Sequence, residues 1–317
     1  MIGAVYRPGR EVIPVFFAVD DNYAAFLGIA LESMLENASS EYNYEINVLT
    51  EGISPEKCVQ LERICQGRAR ISFVDISEKL REFSSVFHMR DYYTSATYFR
   101  FFIPSMFPQY EKCVYLDCDI IVRDDVSKLY FSDTGDNYVS AVVDDMVTSN
   151  PIFCLYTSIV LGISGKEYFN AGILVMNLAA LRENDIENVF FGMAKKRRFP
   201  VAQDQDYLNI ICKGKVDFIA HGWNHGAAPF CRKNGEPEPM IVHYKMNFKP
   251  WHYRGIAYED EFWNYASRTP YYKTVRSMLD GYSKEDEARD ERQAEALVEL
   301  IDSEVGGINE YLLKAAN

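Results

Sequence analysis

An α/β protein, a parallel sheet wrapped by helices, is the fold class this sequence predicts, and three observations carry the prediction. Short apolar runs alternate with stretches of helical period from the N-terminus onward. The links between them are short. Acidic residues gather just after three of the apolar runs, at the sheet end where such folds collect ligands.

The first run, IPVFFAV (13–19), reads as a buried strand. In NYAAFLGIALESMLENAS (22–39), Phe26, Leu27, Ala30, Leu31, Met34 and Leu35 share one helical face. EINVLT (45–50) is a second strand. SPEKCVQLERICQ (54–66) is a helix opened by Ser54 and Pro55, and RISFVDI (70–76) is a third strand. The order is therefore β-α-β-α-β. Acidic residues follow the first strand in VDDN (19–22), end a strand at 113–119 in DCD, and end another in VVDD (142–145). These three clusters are expected to converge on one edge.

YFNAGILVMNL (168–178) is an apolar strand with Asn170 at its start and Gly172 inside, where a glycine marks the close approach of a ligand or another part of the chain. QDQDYLNIICKG (203–214) begins a helix, with Asp204, Gln205 and Asp206 near its N-terminal end; Asp204 could alternatively serve as its cap. MIVHYKMNFKPWH (240–252) is a strand running into a proline-containing loop that carries His, Lys and Trp. After about residue 265 the chain becomes charged and then helical. Leu297, Leu300, Ile301, Val305 and Ile308 lie at near-helical spacing around a Gly306-Gly307 break. Residues 1–265 are thus expected to form the α/β domain, and 266–317 a helical appendage packed on that domain or on a partner, with a homo-oligomer as one such assembly.

With 46 acidic against 33 basic residues the formal charge is −13, which argues against a nucleic-acid-binding surface. No GxGxxG turn follows the first strand and no GxxxxGK[ST] occurs, so dinucleotide oxidoreductase and P-loop chemistry are not expected. A phosphate-bearing ligand would need a metal ion or a few placed cations. The 7 cysteines are odd in number and form no CxxC pair, which fits buried thiols. The 22 Tyr and 20 Phe suit a packed core and equally suit stacking surfaces. No run approaches the roughly 18 apolar residues of a membrane span. The first apolar stretch is broken by Pro14 and ended by charge, so the expected location is cytoplasmic.

Asp117 and Asp119 are two apart, so on an extended segment both carboxylates project to one side. They repel unless a cation lies between them. A divalent ion with oxygen ligands resolves this, and Mn or Mg suits it better than a thiolate-seeking metal. A pair of solvated loop acids is the alternative. His243, at the end of the apolar run IVHY, offers a third ligand suited to Mn.

The stretches FFAVDDNYAAFLGIALESML, TYFRFFIPSMF, VYLDCDIIVRDDVSKLY, YFNAGILVMNL, DQDYLN and HYKMNFKPWH occur in order between about residues 14 and 255. In this the chain resembles the retaining glycosyltransferases of family 8, which include bacterial lipopolysaccharide galactosyl- and glucosyltransferases and the glycogenins. The resemblance implies a GT-A fold, a Rossmann-like nucleotide-binding mixed sheet flanked by helices, with residues 1–265 as the catalytic domain. It implies that Asp117, Asp119 and His243 hold Mn, with Mg as the alternative, against the diphosphate of a UDP-sugar. Ala18, Asp20, Asn22 and Tyr23 would line the uridine pocket, with Tyr23 as the stacking ring. Arg100, Asp144, Asn170 and Ala171 would contact the donor sugar or its phosphate region, and Asp204 and Gln205 would lie beside the anomeric carbon. Lys249 matches the family's diphosphate lysine. Cys118 joins the nucleotide-sugar set by its place in the motif, although on a strand its side chain points the other way.

Two departures stand out. Met246 replaces the small residue usual three positions after the metal-binding His, and residues 283–304 are acidic, which argues against an anionic membrane surface. The implied activity is retaining transfer of galactose or glucose from UDP to a glycan acceptor, in bacterial surface polysaccharide or lipopolysaccharide synthesis. Gln205 would support a front-face substitution; a double displacement through Gln205 or Asp204 competes with it. A metal-dependent nucleotide-sugar hydrolase, a non-catalytic UDP-sugar-binding protein and a self-glucosylating enzyme are the rival functions.

Overall fold

The computed structural model describes residues 7–83, 95–231 and 237–306. Its strands are β1 (Val12–Ala18), β2 (Asn43–Thr50), β3 (Arg70–Asp75), β4 (Lys112–Leu116) and β5 (Ile120–Val122), followed by β6 (Val139–Val143), β7 (Phe169–Asn177), β8 (Val216–Phe218), β9 (His225–Gly226) and β10 (Ile241–His243). Seven form one sheet in the order β3-β2-β1-β4-β7-β6-β8, and β5-β10-β9 form a second, smaller one.

β1 lies mid-sheet with helices on both faces, so it needs no polar alternation and its five central residues are all buried. Alternate side chains still serve different layers. Ile13, Val15 and Phe17 pack with the helix Ala24–Asn37, whereas Phe16 joins the opposite core with Phe101, Phe102 and Leu174. β2 pairs in parallel with β1 and β3, so the opening β-α-β-α-β unit forms as the periodicity predicts.

The sheet is mixed, as the resemblance implied: the alternation alone favours parallel strands, but β7 runs antiparallel to both β4 and β6. The cause is the connection. After β6 the chain stays at one edge through the short helices Asp145–Ser149 and Pro151–Ile159, then enters β7 from that same edge. Since β1, β4 and β6 share a direction, the start of β7 meets their carboxyl ends. The three acidic clusters and Asn170 therefore converge there.

The strand expected to run through Asp119 also ends early. β4 stops at Leu116, Asp117 N makes one further bond to Gly172 O (2.7 Å), and the chain then turns into β5 of the small sheet. The aspartates occupy the corner between two sheets, where their carboxylates face open space. His243 closes β10, opposite Ile120. It reaches the corner from the small sheet, not from the main sheet's edge.

Between residues 259 and 305 the chain adds three helices, Glu259–Ser267, Tyr272–Gly281 and Lys284–Val305. The boundary expected at 265 falls inside the first of them. Phe262, Tyr265, Tyr271 and Val275 belong to the same core as the helix Ala24–Asn37, and Leu297 and Ile301 to the other. Ser283 opens the last helix with a reciprocal cap to Asp286, and Gly306, at φ 82°, closes it. Gly307 and Ile308 lie outside the described residues.

Gly28 is small because the Tyr271 ring packs on it, and that ring is pinned by its hydroxyl to Lys57 O at 3.1 Å. A Cβ at position 28 would lie 2.5 Å from the ring. Gly28→Ala should therefore destabilise the fold, overpacking at about 1–3 kcal/mol exceeding the roughly 1 kcal/mol helix preference of alanine. Denaturant melts of the two proteins measure the difference.

Candidate active site

A cavity opens where the carboxyl ends of β1, β4 and β6 meet the start of β7. Ala18, Asp20 and Tyr23 line one side, and Asp117, Cys118, Asp119, His243 and Lys249 the middle. Arg100, Asp144, Asn170, Ala171, Asp204 and Gln205 line the other side. Of the residues expected at the site, Asn22 alone lies outside this lining, exposed on the turn after β1. Cys118 is reached only at its edge: the side chain is buried and its Sγ turns back toward Ala18 O (3.6 Å).

One ligand atom each from Asp117, Asp119 and His243 lie within 4.8 Å of one another. His243 Nε2 is 3.1 Å from Asp119 Oδ1 and 3.8 Å from Asp117 Oδ2. Gly172 makes this convergence possible: a Cβ there would strike His243 Cε1 and lie 2.7 Å from Asp117 Oδ2. Two carboxylate oxygens and one imidazole nitrogen, gathered over a residue that cannot be larger, fit a hard divalent cation.

Cations already surround the pair. Lys249 Nζ bonds Asp119 Oδ2, and Arg100 lies 3.3 Å from Asp117 Oδ1 and 3.2 Å from Asp204 Oδ2. Arg100 is itself buried, stacked 4.3 Å over the Tyr115 ring, with its Nε–H donated to Thr97 O. Burial alone would raise Asp119, but Lys249 and His243 overcome it and hold that carboxyl well below the usual range. Burial, opposed by Arg100 and reinforced by Asp119, raises its neighbour Asp117. The two acids are thus driven apart in acidity. Burial also pushes Asp204 up to about 7, against the pull of Arg100.

The helix Asp204–Ile211 is entered through Gln203, whose φ of 50° and ψ of −116° cost a non-glycine residue on the order of 1–3 kcal/mol. Gln203 takes the cap position that Asp204 was an alternative for. That sharp entry frees Asp204 to face Arg100 and points Gln205 at the sheet edge. Gln205 Oε1 accepts from Ala171 N (2.9 Å), and its Nε2 donates to Asp144 Oδ2 (3.1 Å) and Tyr168 Oη (3.3 Å). Asp144 also accepts from Asn170 Nδ2 (2.9 Å) and caps its own helix at Met146 N (2.8 Å).

On the other side, Asp20 Oδ1 accepts from Tyr23 N (2.9 Å), fixing the turn from β1 into its helix. Tyr23 leads a row of rings, edge-on to Phe26, which stacks at 4.0 Å on Trp251. Met246 adopts φ 53°, a conformation that glycine takes freely and a residue with a side chain rarely does.

Four features lie outside the expected set of site residues. Asn224 is wholly buried between His243 and Asn170. Lys245, open to reading as a surface charge, is buried against Asn224 O (3.1 Å) and Asp145 Oδ2 (3.4 Å). Leu297 of the last helix lines the cavity. Lys195, Lys196, Arg197 and Arg198 form an exposed basic run shortly before the lining residues Val201 and Ala202, a local exception to the acidic balance. Only that run carried a signal in the sequence.

The profile of the family described as Glycosyl transferase family 8 matches residues 14–255. Over 68% of its length this chain is 29% identical to a Haemophilus influenzae protein described as a glycosyltransferase, and the match spans 63% of that protein. It is 25% identical to the lipopolysaccharide 1,2-glucosyltransferase of Escherichia coli, over 83% of this chain and 80% of the other. Among solved structures, the galactosyltransferase LgtC, in complex with donor and acceptor sugar analogues, superposes with a TM-score of 0.66 at 28% identity. That match covers 81% of this chain and 96% of LgtC.

Gly172→Ala should displace His243 and Asp117 and weaken divalent-cation binding by about 10-fold or more, the scale for disturbing the surroundings of a metal ligand. Titration calorimetry with Mn on folded protein reads this out.

Proposed function

This chain belongs to glycosyl transferase family 8 and has the GT-A fold, and from that premise we propose that it is a retaining, divalent-metal-dependent hexosyltransferase. It moves galactose or glucose from a UDP-sugar to a glycan acceptor. The observation that carries the proposal is the gathering of Asp117, Asp119 and His243 beside Lys249 and Arg100 in one cavity. An acidic chain needs a local reversal of field to hold a diphosphate, and this corner can provide it.

Asp117, Asp119 and His243 would hold the ion, Mn or Mg. When bound it supplies Lewis-acid neutralisation of the diphosphate. Lys249 adds a fixed positive charge where the leaving group gains negative charge. Tyr23 offers a ring face for uracil, with Ala18 and Asp20 beside it. Asp144, Asn170 and Ala171 offer acceptors and donors to sugar hydroxyls, and Arg100 holds Asp117 and Asp204 in place.

Retention is read as front-face substitution. Gln205 Oε1 already accepts a backbone N–H and its amide nitrogen is tied to Asp144, so its oxygen is a poor nucleophile and a good fixed dipole. Asp204 is buried and paired with Arg100, which also disfavours a covalent role. Departing UDP would take the acceptor's proton. A cell-surface glycan such as lipopolysaccharide is the acceptor class favoured by the E. coli relative's name. Among the described residues no helix is long and apolar enough to cross a membrane.

Screening UDP-hexoses with Mn, with and without EDTA, tests the proposal. UDP-galactose or UDP-glucose should be consumed only with metal, and faster with an acceptor glycan. Equal UDP release without acceptor would favour a hydrolase, and tight Mn-UDP binding without turnover a binding protein. Asp119→Asn should abolish metal-dependent UDP binding. Lys249→Met should keep that binding but lower kcat on the order of 100-fold or more.

A further inference from the structure

The direction of each hydrogen bond behind the metal corner can be fixed in turn. Asn170 Oδ1 accepts from Gly172 N (3.0 Å), and its Nδ2 donates to the Asp144 carboxylate (2.9 Å). Neither partner tolerates a reversed amide, since a backbone N–H cannot accept and a carboxylate cannot donate. Asn170 Oδ1 also faces Asn224, so the Asn224 atom against it, at 2.9 Å, must be Nδ2. That leaves Asn224 Oδ1 facing His243 Nδ1 at 2.9 Å. A carbonyl oxygen only accepts, so Nδ1 carries the hydrogen. In the neutral ring the lone pair then lies on Nε2, the nitrogen that faces Asp119 and Asp117.

We infer that Asn224 is the positioning residue for the metal centre: it locks His243 in the Nδ1–H tautomer with Nε2 toward the two aspartates, and ties that ring through Asn170 to Asp144 and Gln205. This rests on the reading of His243 as a metal ligand. Asn224 has no room for another part, being 0% exposed at the end of the turn His221–Asn224, with its main-chain oxygen holding Lys245. Its placement is set by β9, which begins at the next residue and pairs with β10, so histidine and asparagine are fixed by neighbouring strands. One buried amide thus serves the cation corner with its oxygen and the donor-sugar corner with its nitrogen.

The test uses full-length protein with 15N-labelled histidine, compared with Asn224→Leu and Asn224→Asp. In the metal-free wild type, the His243 Nδ1 proton should be seen as a slowly exchanging resonance. Asn224→Leu should lose that protection and bind Mn about 10–100-fold more weakly. Asn224→Asp keeps an acceptor for Nδ1 but faces Asn170 Oδ1 with a second acceptor. It should restore the protected proton and Mn binding while raising KM for the donor.

A His243 protonated on Nε2 alone in the wild type would overturn the inference. So would unchanged Mn affinity in Asn224→Leu, or failure of Asn224→Asp to restore it. If wild-type protein itself does not bind Mn, the metal reading falls, and the proton resonance still decides whether Asn224 fixes the ring. Matching thermal melts for the variants separate these effects from misfolding.

Discussion

Two carboxylates with one residue between them, partly withdrawn from water at the corner between two sheets, set the terms for everything around them. Asp117 and Asp119 cannot share that corner without positive charge. Lys249 and Arg100 supply part of it, each from a different part of the chain, with the His243 imidazole beside them. The arrangement is a poised surplus: among the lining residues five acids, counting Asp20, Asp144 and Asp204, face three cations, Arg100, Lys245 and Lys249, across one cavity. A small hard ion would answer that surplus, and with the acids so satisfied the same cations would be free to meet an anionic ligand.

The fold brings these groups together by reversing one strand. Had β7 run parallel to its neighbours, Asn170 and Gly172 would lie at the far end of the sheet. The corner would then lose both the narrow floor that lets His243 approach and the amide linking it to Asp144. Strain is concentrated here too. Gln203 and Met246 hold positive φ on either side of the cavity, one aiming the Asp204–Gln205 turn and the other the loop toward Lys249.

Much of this was legible in the chain. Short runs rich in apolar residues marked β1, β2 and β3, and the acidic residues after β1, β4 and β6 marked the edge where they meet, because strand direction alone places carboxyl ends together. The pair 117/119 with His243 could be suspected from residue type and position. What could not be read were outcomes of tertiary pairing. The apolar run from Cys113 to Val122 looks continuous, yet it serves two sheets and bends at the aspartates. The direction of β7 depends on where short helices leave the chain. Asn224 sits in a stretch without periodicity, and Lys245 has the look of an ordinary surface lysine until a buried Asp145 is placed against it. Asn22 lies outside the lining because the tight turn carries it outward while its neighbours 20 and 23 turn inward.

The wall contributed by Leu297 has a consequence for how such an enzyme comes into being. The residues of the Asp117–His243 corner leave the ribosome first, and the chamber gains its Leu297 flank only when the helix Lys284–Val305 is made and docked. A change in that helix would therefore reshape one flank of the cavity without altering Asp117, Asp119 or His243.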